Sequence, residues 1–147
     1  MKLSTKARYG VRAMVDMAMH HDGKPMLVKD IAKRQQVSGK YLEHVLLLLK
    51  KRGFVRSVPG AKGGYLLARD PASVTVGELV ESLEGSLAPV DCVVREDVCP
   101  RSGACVTRDI WIALWDGMRR ILDSFTLSQM VERAQDKRSG DDTMFGI

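Results

Sequence analysis

The apolar residues of this 147-residue chain change their spacing at Gly53, and this change limits the fold more than any other feature. Before Gly53 they recur every three or four positions in three stretches, which predicts three amphipathic helices. After Gly53 two short apolar runs flank a glycine-rich turn, which predicts a two-stranded β-hairpin. The predicted helices cover about 4–21, 28–35 and 39–52, and the predicted strands cover 54–58 and 64–68.

The net charge divides at the end of this hairpin. Residues 1–69 contain 15 Lys and Arg against 4 Asp and Glu, a net charge of +11. Residues 70–147 contain 8 against 14, a net charge of −6. A strongly basic half attracts a polyanion, because Lys and Arg displace the counterions condensed on phosphates. A solvated surface without a nucleic-acid partner is the alternative that charge alone leaves open.

The order of three helices and a hairpin, with a tight turn before the third helix, is typical of a winged helix-turn-helix. In this arrangement the N-terminal residues of the third helix approach the base edges of DNA. The candidates there are Ser38, which can also cap the helix, Lys40, Tyr41 and Glu43. Glu43 can accept from a cytosine amino group, and Lys40 can reach guanine or phosphate. Tyr41 can equally belong to the core, and Glu43 can be a solvated helix residue.

Basic residues outside the third helix are candidates for contacts with the DNA backbone, which position a protein without reading sequence. Lys62 lies at the tip of the predicted wing, between glycines. The other candidate phosphate contacts are Lys6, Arg8, Arg12, Lys29, Lys33 and Arg34.

The acidic half has a different organisation. After the DNA-binding domain of residues 1–70, the sequence predicts a linking helix (71–84), a cysteine-rich loop (85–105), two further helices (106–134) and a disordered tail (135–147). The first helix of 106–134 has a broad apolar stripe, which can be an intrachain core or a subunit interface. The stripe contains Ile110, Trp111, Leu114, Trp115, Met118, Ile121, Leu122 and Phe125.

All three cysteines, Cys92, Cys99 and Cys105, lie within fourteen residues of one another. An odd number so close together is a poor basis for disulfides. Charges interrupt the N-terminal stretch, which is therefore not expected to be a signal peptide, and we expect a cytoplasmic protein whose thiols stay reduced. Three soft ligands in a loop suit an iron–sulfur cluster or zinc, and redox-active thiols are a further alternative. Asp91, Glu96, Asp97 and Asp109 are nearby oxygen donors.

Two classes of function are not expected. No run of about 18 apolar residues is present, so a membrane span is not predicted. No nucleophile–base pair, phosphate-binding loop or paired carboxylates stand out, so the sequence does not predict an enzyme.

Several stretches together resemble the IscR/NsrR/CymR-type family of winged helix-turn-helix transcription regulators. The matching stretches are MKLSTKARYGVRAMVDMA, DIAKRQQVSGKYLEHVLLLLKKRGFVRSVPGAKGGYLLARD, the tripeptide Val76-Gly77-Glu78, and the three-cysteine loop that ends in CVTRDIW.

The resemblance implies a homodimer that binds palindromic promoter DNA. It implies that the long helix beginning near residue 106 forms the dimer, with Ile110, Trp111, Leu114, Met118 and Ile121 at the interface. It also implies that Glu43 reads bases.

In cluster-bearing members of this family, cysteines that match Cys92, Cys99 and Cys105 ligate a 2Fe–2S or 4Fe–4S cluster. This chain departs from the pattern at the fourth ligand, because Arg108 stands where such a member has a histidine. A guanidinium stays protonated and cannot ligate a metal. The sequence therefore predicts a cluster-sensing transcription regulator whose fourth ligand is unassigned, with a zinc or thiol-redox switch on the same fold as the alternative.

Overall fold

The computed structural model describes the backbone of residues 2–145 and the side chains of residues 2–140. This range folds into helices with one small antiparallel sheet, which confirms the predicted mainly α fold class with a β wing. In chain order the elements are α1 (Thr5–Met19), α2 (Val28–Gln35), α3 (Gly39–Lys51), β1 (Val55–Val58), β2 (Gly64–Leu67), α4 (Val76–Glu84), α5 (Asp91–Val94), α6 (Val106–Asp123) and α7 (Leu127–Phe145).

The helix-turn-helix is formed by α2 and α3. The α2 helix ends at Gln36, which adopts the left-handed conformation (φ 56°) and turns the chain sharply. Ser38 then caps α3, and its hydroxyl accepts a hydrogen bond from the Tyr41 amide at 3.2 Å. Apolar side chains on the inner faces of α1, α2 and α3 form the core beneath this turn. They include Met14, Met17, Ile31, Leu42, Val45, Leu46 and Leu49.

The wing is attached to the helical core by backbone hydrogen bonds. Strands β1 and β2 pair antiparallel, with Val55 opposite Leu67 and Val58 opposite Gly64. On the other side of β2, Met26 and Tyr65 exchange two backbone hydrogen bonds of 2.8 Å. Gly64 makes this approach possible, because a Cβ there would overlap the Met26 carbonyl and its φ of +145° disfavours other residues.

A buried carboxylate joins α1 to the end of α2. Asp16 is 3% exposed, and its oxygens accept hydrogen bonds from Arg34 Nη2 at 2.7 Å and Gln35 Nε2 at 2.9 Å. The Gln35 carbonyl accepts a bond of 2.6 Å from Arg12. The hydrogen bonds to Asp16 raise the pKa of Arg34 above its ordinary value. Arg12 and Arg34, expected from the sequence to contact phosphate, therefore hold the fold together.

The α4 helix connects the two halves of the chain. It begins with a capping box in which Thr75 and Glu78 each accept from the other's amide. It packs against α1 on one side and α6 on the other. The start of α7 returns to this region, where Leu127 is fully buried and its amide donates to the Val74 carbonyl at 2.9 Å. The two halves thus share one packed centre.

Two sequence predictions in the acidic half differ from the structure. Within 85–105, predicted as loop, the structure has the four-residue helix α5 and a 3₁₀ turn over Glu96–Val98, elements too short to give a periodic pattern. The predicted disordered tail is helical through Phe145, because α7 extends from its buried start through a segment without proline. Residues 146–147 of that predicted tail lie outside the described residues. No helix in the described range is long and apolar enough to cross a membrane.

We expect Asp16→Asn to lower the free energy of unfolding by about 2 kcal/mol, the scale of a lost hydrogen bond between charged groups. Asparagine keeps the shape of the side chain, but it has no negative charge and replaces one acceptor oxygen with an NH₂ donor. The hydrogen bonds from Arg34 and Gln35 are therefore weakened or lost. Urea unfolding followed by circular dichroism measures the change. The control is Glu132→Gln, an exposed carboxylate on α7, with an expected change below about 0.5 kcal/mol. Equal stability of the two variants would contradict the role of Asp16.

Candidate nucleic-acid interface and cysteine site

The N-terminal end of α3 is exposed on the surface of the basic half. Ser38, Lys40 and Glu43 are all exposed there. Tyr41 is half-buried instead, and its ring meets the ring of Tyr9 edge-on, with centroids 5.9 Å apart. Both the positive end of the helix dipole and the side chains that could read bases are therefore open to a ligand.

Arg8 extends this surface onto α1. Its guanidinium lies 5.9 Å from the centre of the Tyr9 ring, so Arg8 belongs to the same cluster as Tyr9 and Tyr41. Lys29, in the first turn of α2, is exposed as well. Tyr9 was missed by the sequence reasoning, because its spacing on α1 is that of an ordinary core residue.

The wing presents Lys62 at an exposed turn. The Gly63 amide donates to the Gly60 carbonyl at 3.0 Å, which closes the turn and leaves the Lys62 side chain exposed. At the base of the wing, burial raises the pKa of Tyr65, and the negative charge of Glu43 adds to that rise. Glu43 on α3 therefore lies near Tyr65 on β2, so the recognition helix and the wing form one surface.

The apolar stripe of α6 is only partly covered by the rest of the chain. None of the 18 residues of this helix is buried. Val106 is 77% exposed, Ile110 58% and Ile121 63%, and Leu114 is exposed too. Trp111 and Met118 are half-buried. Trp115, Leu122 and Phe125 are half-buried as well, so contacts within the chain cover part of this stripe and leave Ile110, Leu114 and Ile121 exposed.

The three cysteines are free thiols, each half-buried. Cys92 lies in α5, Cys99 follows the 3₁₀ turn, and Cys105 is the N-cap residue of α6. Within the described residues, no group of three or more His, Cys, Asp or Glu side chains is close enough together to hold a metal ion. In this arrangement the thiols are near one another in sequence but do not converge on one point.

The surroundings of Cys105 favour its thiolate form. Its sulfur lies 3.1 Å from the Thr107 hydroxyl, which lowers the pKa of Cys105 by hydrogen bonding to the thiolate. Backbone amides in the first turn of α6 lower the pKa further. The position at a helix N-terminus thus favours the thiolate, the form that binds metals and reacts with oxidants.

Arg108, at the position where the family resemblance leads us to expect a ligand, points into the cysteine loop. Its side chain is 14% exposed. Its Nε donates to the Cys92 carbonyl at 2.9 Å, and its Nη2 lies 3.3 Å from Glu96 Oε1. Asp97 pairs with Arg95 at 2.8 Å. Two of the four candidate oxygen ligands are therefore engaged in ion pairs, while Asp91 and Asp109 are exposed.

Ser102 is a residue that the sequence reasoning missed. It is buried between Cys99 and Cys105, and within the described residues its hydroxyl has no hydrogen-bond partner. Its amide donates to the Cys99 carbonyl at 3.2 Å, which keeps the two residues in one tight turn. A buried hydroxyl without a hydrogen-bond partner costs folding free energy. A ligand that accepts a hydrogen bond from Ser102 would remove this cost.

A helix-turn-helix with an attached wing, in a basic half joined to an acidic half, defines the class of winged-helix transcription regulators. The chain belongs to the Rrf2 family: the family model, described as an iron-dependent transcriptional regulator, matches residues 3–133. This confirms the family resemblance predicted from the sequence. The relatives are transcription regulators and not enzymes, in agreement with the expectation from the motifs.

Individual relatives cover nearly the whole chain. The protein rrf2 of Nitratidesulfovibrio vulgaris is 44% identical over 134 residues, which are 91% of this chain and 89% of that protein. The structure of CymR, described as the global cysteine regulator of B. subtilis, has a TM-score of 0.76 at 37% identity and covers 90% of this chain and 98% of its own. The structure of T. potens IscR also has a TM-score of 0.76, at 40% identity, and covers 93% of this chain and 90% of its own.

Proposed function

We propose that this regulator binds palindromic promoter DNA as a homodimer and that Cys92, Cys99 and Cys105 hold an iron–sulfur cluster whose state alters DNA binding. The observation that carries the DNA-binding part is the exposed N-terminal end of α3 beside the Lys62 wing, within a half of net charge +11. The cluster part rests on the three free thiols in one loop.

The basic surface supports two kinds of DNA contact. Ser38, Lys40 and Glu43 are exposed where a recognition helix enters the major groove, so they are the candidates for base contacts. Tyr41 is held by Tyr9, so its contribution is to shape this surface. Residues outside α3 would bind the phosphates and set the position of the helix. These candidates are Arg8, Lys29 and Lys62.

We expect Glu43→Ala and Lys62→Ala to have different effects on DNA binding. Without the Glu43 carboxylate, which accepts from some bases and repels others, the sequences selected from a randomised duplex pool should change. Loss of Lys62 should weaken binding to all duplexes and reduce the slope of log affinity against log salt by about 1. Selection and fluorescence anisotropy at several salt concentrations measure these effects.

Lys137→Ala is the matched control, because Lys137 is an exposed lysine on α7 in the acidic half. It should leave both the selected sequences and the salt slope unchanged. Uniform weakening by Glu43→Ala would rule out base reading by Glu43, and an unchanged slope for Lys62→Ala would rule out a phosphate contact by the wing.

The exposed stripe of α6 supports the dimer. An isologous interface uses the same patch on both subunits, and the apolar side chains of α6 form such a patch on one helix. The interface would contain Ile110, Trp111, Leu114, Met118 and Ile121. Two-fold symmetry of the protein requires a palindromic site, since each recognition helix reads one half.

We expect Ile110→Asp to convert the dimer to a monomer, because the subunit interface would have to bury an unpaired charge. Sedimentation velocity at micromolar concentration measures the change. The control is Ala113→Asp, which puts the same charge on an exposed position beside Asp116 and Arg120. Ala113→Asp should stay dimeric. A dimeric Ile110→Asp variant would show that α6 is not the interface.

The chemistry of the cysteine loop fits an iron–sulfur cluster. The three candidate ligands are soft thiols, and Cys105 is biased toward the thiolate. Among the described residues, the buried Ser102 hydroxyl beside them in the sequence has no hydrogen-bond acceptor. The present positions of the thiols do not converge, so the loop has to rearrange for all three to share one site. When bound, a cluster would supply an iron centre sensitive to oxidants, nitric oxide or iron supply.

The chain could transmit such a rearrangement to the DNA-binding half. Cys105 is the N-cap of α6, so a movement of its backbone acts directly on the start of the proposed dimer helix. The α6 helix packs against α4, and α4 packs against α1. Gathering the cysteines would therefore favour one relative position of the DNA-binding halves of the two subunits. Such an effect is a shift in the populations of two existing conformations.

A thiol switch without a metal is the second candidate, and the lowered pKa of Cys105 is the observation that favours it. In this function the Cys105 thiolate would react with an oxidant. The DNA-binding surface and the dimer would be the same.

We expect anaerobically purified protein to be coloured, with iron and acid-labile sulfide bound, and the Cys99→Ser variant to be colourless. Absorption spectra with iron and sulfide analysis measure both. Ser57→Ala, at an exposed serine on β1 away from the loop, is the control and should load like the wild type. Colourless wild-type protein after anaerobic reconstitution would rule out the cluster, and oxidant-dependent loss of the Cys105 thiol would then favour the thiol switch.

A further inference from the structure

The Arg108 side chain of α6 makes two polar contacts with the middle of the cysteine loop. Arg108 Nε donates to the Cys92 carbonyl at 2.9 Å, and the same guanidinium pairs with Glu96. The two contacts reach different parts of the loop, since Cys92 lies in α5 and Glu96 begins the 3₁₀ turn that follows. Arg108 therefore fixes the position of both short helical elements relative to the first turn of α6.

Other hydrogen bonds in this loop are local. The Arg95 amide donates to the Asp91 carbonyl, the Ser102 amide to the Cys99 carbonyl, and the Ala104 amide to the Arg101 carbonyl, each across three or four residues. The ion pair of Arg95 with Asp97 is also internal to the loop and exposed. Such bonds shape single turns, but they do not determine where the loop lies on α6.

The arrangement that Arg108 holds is one in which the thiols do not converge. Cys105 is fixed as the N-cap of α6, so Cys92 and Cys99 have to move toward it before the three can share one ligand. Because the backbone carbonyl of Cys92 is held by Arg108, that movement breaks a charge-assisted hydrogen bond. The guanidinium has no lone pair to offer a metal in exchange.

We propose that Arg108 is a positioning residue that latches the cysteine loop in its metal-free arrangement, and that it releases the Cys92 carbonyl and Glu96 when the three thiols gather. The latch itself is a property of the metal-free protein. Only its effect on metal binding rests on the proposed function of the cysteines.

Site-resolved alkylation of the reduced, metal-free protein tests the latch. In Arg108→Gln, Cys92 should react with iodoacetamide severalfold faster than in the wild type, because its segment opens more often. Glu96→Gln removes one of the two contacts at a side chain that is 75% exposed, so it does not endanger folding, and it should give a smaller increase. Cys105 is the internal reference, since its neighbours Thr107 and the α6 amides are retained.

Arg95→Gln is the matched control, because it removes an arginine–carboxylate pair from the same loop without touching Cys92. It should leave all three alkylation rates unchanged. Equal Cys92 rates in Arg108→Gln and the wild type would overturn the proposal. An increase as large in Arg95→Gln would overturn it too, since any lost ion pair would then have the same effect.

Titration with Co²⁺ alone tests whether Arg108 opposes the gathering of the three thiols. Binding is measured by the thiolate-to-cobalt charge-transfer absorption. Arg108→Gln should bind Co²⁺ about tenfold to a hundredfold more tightly than the wild type, the scale of a charge-assisted hydrogen bond that no longer has to break. Equal or weaker binding would show that Arg108 does not oppose the gathering of the thiols. If no variant and no wild-type protein binds Co²⁺, the proposed metal site is wrong, and the alkylation rates still decide the latch.

Discussion

The arrangement of the helix-turn-helix in the basic half depends on the buried carboxylate of Asp16. An ionised group at 3% exposure is stable only when its oxygens are paired, and Arg34 and Gln35 provide the partners from the end of α2. This places the left-handed turn at Gln36 and the cap at Ser38 at a defined position relative to α1. The direction in which α3 leaves the core is thus set by an ion pair, whereas apolar packing supplies most of the stability. A bidentate arginine–carboxylate pair has a fixed geometry, so it adds a directional constraint to the close packing of the core.

The two halves of the chain are joined by contacts of α4. Near its C-terminal end, Leu83 packs over Gly10 of α1 so closely that a Cβ on that glycine would overlap the leucine side chain. The Glu84 carboxylate accepts from the Ser4 amide at the start of α1. On the opposite side, Glu81 pairs with Arg119 of α6 at 3.3 Å, and Arg119 also lies over the Trp115 ring. The α7 helix, which follows α6 in the chain, also packs against α1, so α6 is linked to α1 both through α4 and through α7.

Much of the fold could be predicted because its signals are local. Local structure follows directly from the cap at Ser38, the change of spacing at Gly53 and the glycines of the wing. The predicted limits of α2 and α3 agree with the structure within one residue. Contacts between distant residues could not be predicted this way. Nothing in the spacing of Asp16 distinguishes it from a solvated carboxylate, and the pairing of Met26 with Tyr65 joins segments 39 residues apart. The short helix α5 and the unpartnered hydroxyl of Ser102 likewise depend on how the loop folds back on α6.

The position of Arg108 shows why a family pattern does not by itself define a site. The pattern marks this position as one that reaches the cysteines, and the structure agrees, since the side chain is buried against the loop. Arg108 reaches the cysteines but cannot ligate a metal, so besides its hydrogen bonds it affects the thiols through its positive charge. Three thiolates brought together repel one another, and a guanidinium close by lowers that repulsion whether or not it still holds the Cys92 carbonyl. Arg108 therefore has two consequences of opposite sign. Its hydrogen bonds stabilise the separated thiols, and its charge stabilises the gathered thiolates. A bound metal ion itself supplies the positive charge that gathered thiolates need, so the hydrogen bonds of Arg108 then outweigh its charge.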